Sequence, residues 1–112
     1  MTTNKNIKLP ATVAKYVDAT NAGNGAAAGE LFSESAVVQD DGAEHRGPAA
    51  IQVWVEESTR KYQAQLVPLT LRESGDHAVL RGQVSGNFPG SPIELDFEFV
   101  LSDDKIARLV IK

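Results

Sequence analysis

Asp40, Asp41, His45 and Arg46 stand close together in "VVQDDGAEHRG", and Tyr16 lies upstream in "KYVDATNAG". An aspartate among apolar neighbours has a raised pKa and suits the role of general base. His45 is a titratable group close in sequence to Asp40, so a His-Asp pair is one reading. A tyrosine hydroxyl can donate to a carbonyl or to a developing oxyanion. Arg46 either pins its loop to an acidic neighbour or meets an anionic ligand. Each residue also has a plainer use. Asp40 can cap the "DDG" turn, Tyr16 can be core with its hydroxyl satisfied locally, and His45 can be an exposed loop residue. Alternation separates the two aspartates: Val38 and Asp40 share one strand face, Gln39 and Asp41 the other. If Val38 faces a pocket, so does Asp40, and Asp41 is solvated.

Other chemistries lack their residues. There is no cysteine, which removes thiol nucleophiles, disulfides and thiolate metal sites. Asp40, Asp41, Glu44 and His45 match no standard metal spacing. "SGNFPGS" has glycines but no helix after it, so it is not a phosphate loop. Neither metal nor cofactor is therefore expected. With 11 basic residues against 15 acidic, the net charge is -4, and the basic residues form no patch suited to nucleic acid. No stretch has the length of a membrane span, and "MTTNKNIKLP" has no signal-peptide core. A cytoplasmic location is the expectation.

The elements that must hold these residues change character midway. The first half has helical periodicity and the second alternates, which predicts an α+β domain over 9–112 behind a flexible polar tail at 1–8. The first helix begins near Pro10, buries Val13, Tyr16, Val17 and Thr20, and ends at "NAGNG" with Gly23 left-handed. A second covers Ala26 to Phe32. A third runs from Pro48 to about Arg60, with Ile51, Trp54, Val55 and Ser58 inward and Glu56–Arg60 and Glu57–Lys61 pairs outward. A short strand is expected at Ala36–Asp41, and four long ones follow. The first of these opens with Tyr62, Ala64 and Leu66 on one face and has a phase slip at Pro68, which suggests a bulge or an edge. Next, Leu80, Gly82, Val84, Gly86 and Phe88 share a face, and the glycines suggest bending or close approach. Leu95, Phe97 and Phe99 oppose Glu94, Asp96 and Glu98. In the last strand apolar residues occur on both parities, as if both faces were covered.

"KYVDATNAGN", "LFSESAVVQDDG" and "HRGPAAIQVWVEE", followed by a closing strand-turn-strand, resemble the NTF2-like superfamily, with SnoaL-like and ketosteroid-isomerase-like proteins nearest. The resemblance spans about Leu9 to Lys112. It implies a cone of three N-terminal helices on a strongly bent antiparallel sheet, with an apolar pocket at one end and homodimers through the outer sheet face. It also implies Asp40 as base and Tyr16 as hydrogen-bond donor. Val38, Trp54, Val84, Phe88, Phe97 and Phe99 would line the pocket. Asp96 stands where that family's oxyanion-hole aspartate would be counted, but alternation turns it away from Phe97, so that role is not carried over. The expected ligand is small and apolar or keto-type, and the expected chemistry is isomerisation, cyclisation or dehydration without a cofactor. Since one fold serves many functions, two alternatives remain: a non-catalytic homodimeric binding module, and a structural partner of a larger enzyme.

Overall fold

The computed structural model describes residues 8–112. The tail expected at 1–8 therefore falls, except for Lys8, outside the described residues. The chain forms α1 (Ala11–Asn21), α2 (Gly25–Gly29), β1 (Phe32–Asp40), β2 (Ala43–Arg46), α3 (Gly47–Tyr62), β3 (Gln65–Ser74), β4 (His77–Ser85), β5 (Ile93–Ser102) and β6 (Lys105–Ile111). The six strands make one curved, unclosed sheet in the order β2-β1-β6-β5-β4-β3, and the three helices pack on it.

Several expectations are corrected. The sheet is not wholly antiparallel, because β1 runs parallel to β6. The second helix stops at Gly29, and Phe32 begins a long strand instead of ending the helix. Tyr62 is the last residue of α3, where Gln63 breaks the helix at φ 51°. The segment "AEHR" is a strand rather than a loop. Asp41 and Gly42, at φ 52° and 80°, form the two-residue turn that asparagine- or aspartate-glycine pairs favour, and Asp40 pairs with Ala43 across it. Glu56 accepts a hydrogen bond from the Gln52 side chain at 3.1 Å, and no ion pair joins it to Arg60 among the described residues.

Other local signals appear as read. The ladder between β3 and β4 slips between Pro68 and Thr70, the bulge expected at a residue that cannot donate. A side chain on Gly82 would collide with Leu66, and one on Gly86 would come within 2.7 Å of the Tyr62 carbonyl. These glycines let β3 and the end of α3 press against β4. The Asn21 side chain ties α1 to β3, accepting from the Leu66 N–H at 2.8 Å and donating to the Leu66 carbonyl at 2.9 Å. In β6 the mixed parity has a different cause from two covered faces. Arg108 pairs with Val100 and Ile106 with Leu101, so Ala107 is an extra, bulged residue. The bulge lets Ile106, Leu109 and Ile111 all be buried.

Pairing across the sheet places the inward residues in rows. Val38, Leu109, Phe99 and Ala78 form one row, and Asp40, Ile111, Phe97 and Leu80 form the next. The first row is sealed beneath the helices, with its four residues at most 1% exposed.

Candidate functional site

Asp40, Ile111 and Phe97 of the second row floor a cavity of about 620 Å³ between the sheet, α1 and α3. Its walls are largely apolar: Trp54 and Tyr62 from α3, Leu66 from β3, Val84 and Phe88 after it, and Leu95 and Phe97 from β5. Tyr16 and Asp40 both border this space. Of the residues expected along a pocket, Trp54, Val84, Phe88 and Phe97 line it. Val38 and Phe99 do not. They share the inward parity but belong to the sealed row, one ladder step deeper, where they are 0% and 1% exposed.

Tyr16 reaches the cavity from within the core. It is 2% exposed, and its ring meets Phe99 edge-on at 5.4 Å and Phe32 at 6.2 Å. Its hydroxyl has no hydrogen-bond partner among the described residues. Burial, and secondarily the nearby Asp40 charge, pushes its pKa well above the ordinary tyrosine range. The hydroxyl therefore stays protonated, and an unpartnered buried donor beside a cavity is costly unless a ligand or water accepts from it.

Asp40 is half-buried at the end of β1. The indole Nε1–H of Trp54 donates to its Oδ2 at 3.3 Å. Burial raises its pKa above the ordinary 3.8 and the Asp41 charge adds to this, while the Trp54 N–H and His45 act in the other direction. Asp41 occupies the turn and is exposed, as alternation predicted, yet it also lines the cavity beside Asp40.

His45 lies opposite Val38 in the β1–β2 ladder, which turns it to the face that carries Asp40. Its ring nevertheless stacks on Trp54, with centroids 5.4 Å apart and planes 26° apart. No hydrogen bond joins it to Asp40, so a direct His-Asp pair gives way to the series Asp40, Trp54, His45. Arg46 pairs with Glu44 of its own strand at 3.1 Å, on the exposed side of the hairpin. On the outer face, Asp96 pairs with Arg81 at 3.0 Å, far from the role of a buried acid. Among the described residues, no group of three or more His, Cys, Asp and Glu side chains could hold a metal ion. No described helix is long and apolar enough to cross a membrane.

The raised pKa of Asp40 has a consequence for stability. Just above pH 3.8 the unfolded chain has released this proton and the folded chain still holds it, so stability falls as the pH rises through the folded value. Asp40→Asn removes this loss. Its melting temperature should match that of the parent in more acidic solution and exceed it at neutral pH, which paired thermal melts would show.

Some wall residues were not singled out from sequence. Tyr62 continues the 54, 58 stripe by one more helical turn, and Leu95 shares the face of Phe97, so both periods contained the signal. Ile111 and Lys112 reach the cavity through the parallel pairing of β6 with β1, which no local pattern announces.

Comparison with known proteins agrees with this fold. The model of the SnoaL-like domain matches residues 13–109. A Sinorhizobium meliloti protein, provisionally named a polyketide cyclase, is 40% identical, with 93% of this chain and 95% of that chain covered and a TM-score of 0.89. A second protein so named, from Pseudomonas putida, is 23% identical over 90% of this chain and 87% of its own, with a TM-score of 0.78. A Catenulispora acidiphila protein with a ketosteroid isomerase-like fold, in complex with trimethylamine, is 19% identical over 94% and 86%, with a TM-score of 0.84. These last two likenesses are of fold. No curated protein matches the chain in sequence. The chain belongs to the SnoaL-like domain family, on the fold that ketosteroid isomerase-like and cystatin-like proteins share.

Proposed function

We propose that the cavity binds a small, mostly apolar carbonyl compound and that Asp40 moves a proton on it. The observation that carries this reading is the presence of a half-buried carboxylate and a buried, unpartnered hydroxyl at one mostly apolar cavity. Asp40, as the carboxylate, would take a proton from the carbon next to the carbonyl. The electron pair left behind moves onto the carbonyl oxygen as an enolate, which the Tyr16 O–H stabilises by donation. In a β,γ-unsaturated ketone the enolate is a dienolate, and return of the proton from Asp40 to its γ-carbon gives isomerisation. Where the molecule has a second carbonyl, attack of the enolate carbon on it gives an aldol-type ring closure, and the resulting alkoxide takes the proton back from Asp40. Both need only acid/base groups. The name of the Sinorhizobium relative is consistent with the second outcome.

Because Trp54 is the only tryptophan and borders the cavity, its fluorescence reports occupancy. Titration with cyclic ketones should change the emission saturably, and bound ketone in heavy water should exchange its α-protons faster than free ketone. Binding without exchange would favour the alternative, a non-catalytic module. A homodimer through the outer sheet face fits either reading. Exposed Val67 lies there with half-buried Val79, Val100 and Val110, and sedimentation should then give twice 12.0 kDa.

A further inference from the structure

We infer that Trp54 is a positioning residue for Asp40: its indole N–H holds Oδ2, the stacked His45 ring steadies the indole, and Oδ1 is left as the atom that meets the ligand. This deepens the proposed function and rests on Asp40 being the base. Three elements converge to make the arrangement. The β1–β2 turn sets Asp40 at a strand end with His45 on the same face. Helix α3 then brings Trp54 between them, donating to Oδ2 at 3.3 Å and stacked on His45 at 5.4 Å. No other described residue donates to either carboxylate oxygen. A carboxylate with one oxygen held is restricted in rotation, so its second oxygen has a preferred direction, and Asp40 itself lines the cavity. At 3.3 Å the bond is slightly longer than the usual N–H···O bond.

The indole also adjusts base strength. A donor to the charged form favours it, and here the Trp54 N–H works against the rise caused by burial. The other groups facing Asp40 are Asp41 beside it, His45 from β2, Tyr16 from α1 and Lys112 at the end of β6. Trp54→Phe leaves all of these in place and keeps an aromatic ring against His45, so it removes the N–H with little else.

The test is the carboxyl-carbon NMR titration of Asp40 in the parent and in Trp54→Phe, with amide spectra confirming the fold. The variant should titrate higher by about half a pH unit or more. A raised value in the parent that does not move in a folded variant overturns the role of Trp54 and leaves the base standing. A parent titrating near the ordinary 3.8 overturns the base itself, and the positioning role with it. If Trp54→Phe fails to fold, the indole N–H resonance of the parent decides. It is unambiguous in a chain with a single tryptophan, and it should shift with the Asp40 midpoint and lose that response in Asp40→Asn. An indole resonance that ignores this titration overturns the inference.

Discussion

Asp40→Asn should lower enzyme-catalysed α-proton exchange on a bound ketone by about a hundredfold to ten-thousandfold, the usual contribution of a positioned base. The substitution is almost isosteric, and the amide oxygen can still accept from the Trp54 N–H, so the cavity wall keeps its shape. What disappears is the basic oxygen. Binding should survive, because the apolar walls of Leu66, Val84, Phe88 and Phe97 are untouched. The loss therefore falls on turnover rather than on affinity. In the parent, exchange should increase as the pH rises through the raised Asp40 value, since only the ionised form takes a proton. Exchange kinetics followed by NMR, beside ligand titrations of both proteins, checks this. A folded Asp40→Asn protein that exchanges at the parental rate would remove Asp40 from the chemistry.

Phe99→Ala should destabilise the fold by about 3–5 kcal/mol, the range for a fully buried large aromatic. Phe99 is 1% exposed and sits between Leu109 and Ala78 in the sealed row. Its ring also meets Tyr16 edge-on at 5.4 Å, a contact that adds to simple area burial. Small domains hold only about 5–15 kcal/mol in total, so this one change consumes much of the margin. The void would lie directly behind Tyr16, and the hydroxyl's aim into the cavity would loosen with it. Urea denaturation measures the loss, and Val110→Ala on the outer face provides a comparison expected to cost far less.

How much of this could be read from the sequence depended on the range of the signal. Helix α1 was legible because Pro10, the Val13–Tyr16–Val17 spacing and Gly23 are all local. The alternation of β5 gave the outward turn of Asp96 and the inward turn of Phe97 and Phe99. Alternation also separated Asp40 from Asp41, though it could not show depth. Val38 and Asp40 share a face, yet the first lies in the sealed row and the second at the cavity, because the β1–β6 register decides which ladder step the helices cover. The four residues of the Ala43–Arg46 strand carry too little pattern to announce it, although the Asp41-Gly42 turn is visible. Ala28, Leu31 and Phe32 fit a helical face, but the pairing of Phe32 with Ile106 in β6 overrides that local preference. The stacking of His45 on Trp54 rather than on Asp40 follows from where α3 crosses β2, which is tertiary information.

If Asp40 is a base tuned by this cavity, the carboxyl-carbon titration of Asp40 with and without a saturating cyclic ketone must reveal it. The free protein should show a midpoint clearly above 3.8, and the bound ligand should raise it further by displacing water from the carboxylate. A midpoint at the ordinary aspartate value, indifferent to the ligand, would contradict the claim and leave Asp40 as the residue that ends a strand and caps its turn.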